Sequence, residues 1–216
     1  MFIFRDRADA GQHLAQQLLS LKLDDPTILA IPRGGILVGV PVAQALKVGL
    51  GVVITRRLTC ARFPELGFGA LGEGQIQVLD PASMNLLHIT PAELKAAQAK
   101  SEAEIEQRQH LFRQGHPLPN LSGKTVIIVD DGLATGLSAK AAIEVVKAHN
   151  VKRIILATPV ASPQTLGKLR PKVDQIVCVA ERPDLRCVGE WYQDFNPNLT
   201  DTEVLTALAW AQPHPN

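Results

Sequence analysis

The sequence predicts an α/β fold with a mainly parallel central sheet flanked by helices. Segments typical of strands and of helices alternate along the chain, as they do in folds built around a parallel sheet. Residues 126–129 read Val-Ile-Ile-Val, a continuous apolar run that is typical of a strand buried on both faces. The 216 residues are 46% hydrophobic and 20% charged, which suits a single globular domain over 1–216.

The predicted elements follow from apolar spacing and from turn-forming residues. Six short apolar segments are predicted to be strands: 27–31, 51–55, 76–79, 126–129, 153–159 and 173–180. Helices are predicted to begin near residues 6–9, 34, 137, 163 and 201. A longer helix over 90–113 opens with Thr90, Pro91 and Glu93, the order expected for a capped N-terminus. Its mostly polar surface favours a solvated arm over a partner-facing arm.

The segment 56–74 has no clear periodicity and is predicted to be a long loop. Arg56 and Arg57 stand at its start, and it contains four glycines at positions 67, 69, 72 and 74. Loops of this length in compact domains are usually functional or disordered. We expect a mobile loop that closes over a charged ligand, with a disordered surface loop as the alternative.

Charge and composition exclude several classes of function. The net charge of +1 offers no electrostatic surface for nucleic acid or for an anionic membrane. The sequence has no apolar run long enough to span a bilayer and no leader pattern at its start. Three scattered cysteines without metal-ligand spacing indicate reduced thiols, so we expect a cytoplasmic protein.

The most informative motif directly follows the apolar run at 126–129. Asp130 and Asp131 come at the end of the predicted strand, a small-residue turn spans 132–136, and Ser138 lies just inside a helix. Amide groups at a helix N-terminus attract an anion, and two carboxylates can accept hydrogen bonds from sugar hydroxyls. This combination predicts a site for a phosphorylated sugar such as ribose 5-phosphate. The alternative is a plain strand-to-helix turn in which Asp131 caps the helix.

Two other phosphate motifs fit this segment poorly. A Walker loop is excluded because no Gly-Lys-Ser/Thr follows at the required spacing. A dinucleotide fingerprint places its acidic residue on the next strand, whereas here the acidic pair precedes the turn.

A second candidate anion site follows the first predicted strand. Pro32, Arg33, Gly34 and Gly35 form a turn that leads into a helix. Glycines let backbone amides approach a ligand closely, and a guanidinium can hold phosphate oxygens through two parallel bonds. By itself this tetrapeptide favours a plain turn over an anion-binding site. Beside the first motif, it predicts a ligand that carries phosphate at two positions.

These motifs resemble those of the type I phosphoribosyltransferases. Residues 126–138 are similar to the phosphoribosyl pyrophosphate signature of that family, and residues 31–35 look like its pyrophosphate loop. The segment 56–74 falls where the flexible loop of the family would lie. Residues 4–7 and 188–195 further resemble a branch of bacterial predicted phosphoribosyltransferases, so the resemblance covers nearly the whole chain.

The resemblance implies transfer of ribose 5-phosphate from phosphoribosyl pyrophosphate to a small nitrogenous base, with release of pyrophosphate, in nucleotide salvage. The residues implied to bind substrate are Arg33, Gly34, Gly35, Arg56, Arg57, Asp130, Asp131, Ala134, Thr135, Gly136, Leu137 and Ser138. Of these, Arg33, Asp130 and Asp131 are implied to act in catalysis, and the two aspartates to hold Mg²⁺, directly or through water. The resemblance also implies a cis peptide bond between Pro32 and Arg33.

The choice of base is expected to lie in a hood formed by residues 1–25 and 181–216. Trp191, Tyr192 and Phe195 could stack on a base or form a local core. Proteins of this resemblance are often homodimers, and the helix over 92–113 is a candidate contact. Two other functions stay open at this stage: a non-catalytic sensor of phosphoribosyl pyrophosphate, and a phosphoacceptor domain of the receiver type.

Overall fold

A computed structural model describes residues 3–211 and contains two sheets flanked by helices. Its strands are β1 (Thr27–Ala30), β2 (Leu50–Val52), β3 (Thr55–Cys60), β4 (Phe63–Gly72), β5 (Ile76–Leu79), β6 (Thr125–Val129), β7 (Arg153–Ala161) and β8 (Gln175–Glu181). Its helices are α1 (Arg7–Leu19), α2 (Gly34–Leu46), α3 (Pro81–Leu86), α4 (Pro91–Arg113), α5 (Leu137–Lys147), α6 (Pro163–Leu169) and α7 (Asp201–Trp210). Three short 3₁₀ turns cover Glu73–Gln75, Arg170–Lys172 and Val188–Trp191. Residues 1–2 and 212–216 of the predicted hood lie outside the described residues.

The first sheet is parallel throughout, with the order β2-β1-β6-β7-β8. The central strand β6 is buried on both faces, as its sequence predicts. Ile127 and Val129 join the core beneath α1 and α2, whereas Val126 and Ile128 join the core beneath α5. From β1 the next strand, β2, is added on one side of the sheet, whereas from β6 the following strands, β7 and β8, are added on the other side. A crevice therefore opens between β1 and β6 at their carboxyl ends.

The segment predicted as a long loop is instead the core of a second, antiparallel sheet with the order β3-β4-β5. The expectation of an irregular loop is therefore wrong. In the sequence the glycines favour flexibility, but in this sheet they allow neighbouring strands to pack closely. A Cβ added to Gly69 would lie 2.6 Å from the carbonyl oxygen of Val78 on the neighbouring strand. Motion of this hairpin over the site stays a prediction.

Helix α4 is capped as predicted, but it is not a freely solvated arm. The Thr90 side chain accepts a hydrogen bond from the Glu93 amide, and the Glu93 side chain accepts one from the Thr90 amide. The helix buries a narrow inner face formed by Ala97, Ser101, Ile105 and Phe112. This face includes a small and a polar residue, which weakens the apolar pattern in the sequence. No helix within residues 3–211 has both the length and the apolar character needed to cross a bilayer.

A buried ion pair fastens the end of α4 to the base of the second sheet. Glu73 and Arg113 have side chains only 7% and 9% exposed and form a salt bridge. The Glu73 carboxylate also accepts hydrogen bonds from the Ile54 amide at 2.7 Å and from Gln109 Nε2 at 2.8 Å. The Arg113 guanidinium donates to the Val52 carbonyl at 3.2 Å. The ion pair thereby connects three elements: Arg113 contacts the end of β2, and Glu73 contacts the residue before β3 and helix α4.

We expect Glu73→Gln to destabilise the protein by about 3 kcal/mol, because it leaves the buried charge of Arg113 without its partner. Urea unfolding at neutral pH measures the change. Glu106→Gln is the matched control, since Glu106 is an exposed carboxylate on α4, the helix that carries Arg113. Equal midpoints for the two variants would show that the buried pair contributes nothing to stability.

Candidate active site

The two predicted anion-binding turns meet at the carboxyl ends of β1 and β6. The Ile31 amide donates a hydrogen bond to the Val129 carbonyl at 2.9 Å, which extends the pairing of the two strands to the first residue of the turn. A cavity of about 310 Å³ lies over this junction. Ten of the twelve predicted substrate-binding residues line it, and the two that do not are Gly35 and Arg56.

The turn after β1 fits against the acidic pair because it carries glycines. A Cβ on Gly34 would lie 1.9 Å from Oδ2 of Asp131, and a Cβ on Gly35 would lie 2.6 Å from the carbonyl oxygen of Val129. Neither position has room for a side chain, so the turn can approach the acidic pair this closely only with glycine at both positions. The peptide bond between Pro32 and Arg33 is cis, which confirms that prediction.

The turn after β6 presents the start of α5 to the same cavity. Gly136 is the N-cap residue at a φ of 72°, a left-handed conformation that favours glycine, and no side chain caps the helix. The amides of the first helical turn are therefore not used by a capping group, and Leu137 and Ser138 line the cavity. Thr165 supports the turn from behind by donating from Oγ1 to the Ala134 carbonyl at 2.5 Å. Sequence reasoning did not single out Thr165.

The two aspartates have different surroundings. Asp131 forms a salt bridge with Arg7, whose Nε lies 2.8 Å from Oδ2, and its backbone carbonyl accepts a hydrogen bond from the Tyr192 hydroxyl. No ion pair is recorded for Asp130 within residues 3–211. Burial raises the pKa of Asp130 well above its usual value, and the charge of Asp131 raises it further, while the charge of Arg7 lowers it. Oδ1 of Asp130 also accepts a hydrogen bond from the Asp131 amide at 2.9 Å, which lowers its pKa in part. The site therefore holds one carboxylate compensated by a cation and one that accepts a backbone hydrogen bond.

The predicted arginines are distributed unequally. Arg57 lines the cavity, but its neighbour Arg56 points to the opposite side of β3 and pairs with Glu104 of α4. The reason is the alternation of side chains along a strand. Arg33 lines the cavity and pairs with Asp201 at 2.9 Å. Burial, followed by the charges of Arg56 and Arg33, lowers the pKa of Arg108 to about 10, whereas the charges of Glu104 and Asp201 raise it.

The aromatic residues of the predicted hood form a local core. Tyr192 is only 1% exposed, and its ring packs against Phe4 at 5.5 Å and Phe195 at 5.4 Å between centroids. Burial raises the pKa of Tyr192. Of the two alternatives left by the sequence, Tyr192 takes the local core rather than a stacking surface. Arg7 lies over the Phe195 ring at 3.9 Å from its centroid.

The oxygen ligands available for a metal are few. Within residues 3–211, no group of three or more histidine, cysteine or acidic side chains is placed to enclose an ion. Mg²⁺ is commonly held by one or two carboxylates together with phosphate oxygens of a substrate. Asp130 and Asp131 fit that role, because Asp130 forms no ion pair with any residue of 3–211 and Asp131 keeps one oxygen beyond its contact with Arg7.

Comparison with known proteins agrees with the geometry. The family model described as "Phosphoribosyl transferase domain" matches residues 81–190, which is just over half of the chain and includes the acidic pair and its turn. The chain belongs to this phosphoribosyl transferase family. The resemblance seen in the sequence, and the fold it implies, are thereby confirmed.

The relatives of this chain differ in how much of it they match and in how much of their own length is matched. A Mycobacterium tuberculosis protein named "Putative phosphoribosyl transferase Rv0571c" is 36% identical over 208 residues, which are 96% of this chain and 47% of that protein. The chain thus spans about half the length of this curated relative. The crystal structure of TT1426 from Thermus thermophilus is 35% identical, with a TM-score of 0.78 over 98% of this chain and 100% of that one. The uracil phosphoribosyltransferase of Acinetobacter baylyi is 26% identical over 130 residues, 60% of this chain and 56% of that enzyme.

We expect Gly34→Ala to destabilise the protein by about 1–3 kcal/mol, because its Cβ displaces Asp131 or the turn itself. Thermal unfolding checks this value. Gly167→Ala is the matched control, since a Cβ on that helical glycine meets nothing within 4 Å and alanine has the higher helix propensity. The control should be as stable as the parent or slightly more stable. A Gly34→Ala variant that matches it would contradict the close approach of the two turns.

We expect Asp130→Asn to stabilise the protein at neutral pH. A carboxyl group with a raised pKa in the folded state destabilises the fold once it ionises, so the cost appears as the pH rises from about 4 through the raised pKa. The gain from the substitution should accordingly be largest at neutral pH and vanish below about pH 4. Urea unfolding across that range measures it. Asp184→Asn, at an exposed position, should show no such trend, and a similar trend in both variants would argue against a raised Asp130 pKa.

Proposed function

We propose that this protein transfers ribose 5-phosphate from phosphoribosyl pyrophosphate to a ring nitrogen of a small base and releases pyrophosphate. The observation that carries the proposal is the convergence of two anion-binding turns and a carboxylate pair on one cavity of about 310 Å³. A single phosphate would need only one such turn. A ribose with phosphate groups at both ends uses both turns, and its hydroxyls use the acidic pair.

The expected placement of the ligand follows from the charges along the cavity. The 5-phosphate would lie at the start of α5, against the amides and hydroxyls of residues 134–138. The pyrophosphate would lie at the turn after β1, next to Arg33 and within reach of Arg57. The ribose would then lie between them, with its hydroxyls donating hydrogen bonds to Asp130 and Asp131. Family membership supports this arrangement, and the lining of the cavity is compatible with it.

The chemical step breaks the bond between ribose C1 and the pyrophosphate oxygen, and the electron pair leaves with pyrophosphate. The lone pair of the acceptor nitrogen forms the new bond to C1, and the base gives up one N–H proton to solvent. Positive charge develops on the ribose and negative charge on the leaving group. Asp130 and Asp131 would favour the cationic sugar, while Arg33 and Arg57 would favour the departing anion, through charges that are already in place. A bound Mg²⁺ would neutralise further charge on pyrophosphate.

Several narrower properties belong to the same proposal. The net charge of +1 supports a small-molecule substrate rather than nucleic acid or membrane partners. Within residues 3–211 the three cysteines are free thiols, which supports the cytoplasm as the site of action. Nucleotide salvage as the role would follow from the proposed transfer to a free base. The predicted homodimer would use α4, whose outer face is largely exposed.

We expect Asp131→Asn to lower the rate of pyrophosphate release by about 10²–10³-fold, the usual cost of removing a charge aimed at the reacting centre. The assay supplies phosphoribosyl pyrophosphate, a panel of purines and pyrimidines, and Mg²⁺ or EDTA. Asp184→Asn, an exposed carboxylate, is the control and should keep the parent rate. The base that supports turnover identifies the acceptor.

Two outcomes would count against the transferase proposal. Tight binding of phosphoribosyl pyrophosphate without turnover for any base would favour the non-catalytic sensor instead. Full activity of Asp131→Asn would remove the role assigned to this carboxylate.

A further inference from the structure

Arg7 is a buried cation that has no role in the function as proposed. It is the first residue of α1 and is only 7% exposed. Its Nε donates to Oδ2 of Asp131 at 2.8 Å, and its Nη1 donates to the carbonyl oxygen of Asn196 at 2.9 Å. The flat face of the guanidinium lies on the Phe195 ring. Three contacts of different kinds therefore set both the position and the orientation of this group.

The segment that carries Arg7 is itself joined to the C-terminal part of the chain. Phe4 forms a parallel bridge with Tyr192, and the Gln193 amide donates to the Phe4 carbonyl at 2.9 Å. Tyr192 then donates its hydroxyl to the backbone carbonyl of Asp131. Asp131 is thus held at its side chain by the N-terminal segment and at its backbone by the C-terminal segment.

This arrangement has an electrostatic consequence for the acidic pair. Two neighbouring carboxylates in a partly buried turn repel each other. A fixed positive charge at Asp131 opposes that repulsion at the place where it arises. Arg7 also occupies Oδ2 of Asp131, so the oxygen left for a ligand is Oδ1.

We propose that Arg7 is a positioning residue for the transfer reaction: it holds Oδ2 of Asp131 so that Oδ1 faces the ribose in a fixed orientation. This inference rests on the proposed function. It predicts that Arg7 acts through Asp131 and does not touch the substrate. It also assigns the hood a role beyond the choice of base, since both of its segments hold a carboxylate that binds the common substrate.

The shape of the contacts requires a guanidinium rather than any cation. The planar group uses two nitrogens to bond two partners in different segments while its face lies on an aromatic ring. A lysine ammonium is a point charge on a flexible stem and would not keep all three contacts at once. Lysine at this position should therefore keep the charge and lose the orientation.

The test compares Arg7→Met and Arg7→Lys with Arg5→Met in steady-state kinetics. Arg5 is the matched control, because it lies two residues away and its exposed side chain pairs with Asp6 rather than with Asp131. We expect Arg7→Met to lower kcat by about 10–100-fold, the usual effect of removing a group that orients a site residue. Arg7→Lys should lower kcat by a smaller factor, and Arg5→Met should keep the parent value. If Arg7→Met does not fold, as judged by urea unfolding, Arg7→Lys decides the question.

A double-mutant cycle separates positioning from a merely structural role. If Arg7 acts through Asp131, Arg7→Met should cause little further loss of kcat in an Asp131→Asn background. The same fold-loss in both backgrounds would overturn the inference, as would parent-like kcat in Arg7→Met and Arg7→Lys. A parent protein that neither binds phosphoribosyl pyrophosphate nor releases pyrophosphate would instead overturn the proposed function, and the inference with it.

Discussion

The pairing of β1 with β6 is the constraint on which the site depends. Parallel register places Ala30 opposite Val129, so the two strands end at the same level and their turns begin side by side. Neighbouring strands are less than about 5 Å apart, which brings residues distant in sequence to one crevice. The glycines after β1 then allow the closest approach, because Gly34 and Gly35 leave room for Asp131 and for the Val129 carbonyl. The cavity is a consequence of this junction.

Two charged side chains of the site are compensated by ion pairs with residues outside the two turns. Burial and repulsion by Asp131 both oppose ionisation of Asp130. Arg7, from the N-terminal segment, pairs with Asp131 and its charge lowers the pKa of Asp130. Arg33 is likewise paired with Asp201 at the start of α7. Asp131 is therefore paired with a residue near the start of the described chain, and Arg33 with a residue near its end. A ligand phosphate at Arg33 would compete with Asp201 for the guanidinium, which would connect substrate binding to the C-terminal part of the hood.

Local features were predictable because they depend on neighbours in sequence. The buried strand β6, the capping box of α4 and the small-residue turn before α5 appear where expected, and the cis bond before Arg33 appears where the family resemblance implies it. The hairpin of β3 and β4 was not recognised, because its register contains irregularities near Thr59 and its glycines weaken the alternating pattern. Helix α3 is too short for apolar spacing to reveal it.

The sequence by itself determined which groups the site contains: a carboxylate pair, the start of a helix and a glycine turn with an arginine. Tertiary structure alone decided which charges belong to it. Arg56 and Arg57 are equivalent by residue type, yet strand alternation sends one to Glu104 and the other to the cavity. Arg7 carries no motif that marks its partner, since its distance from Asp131 is set by how α1 packs on the sheet. Residue type limits what a side chain can bind, whereas its actual partner depends on proximity in three dimensions.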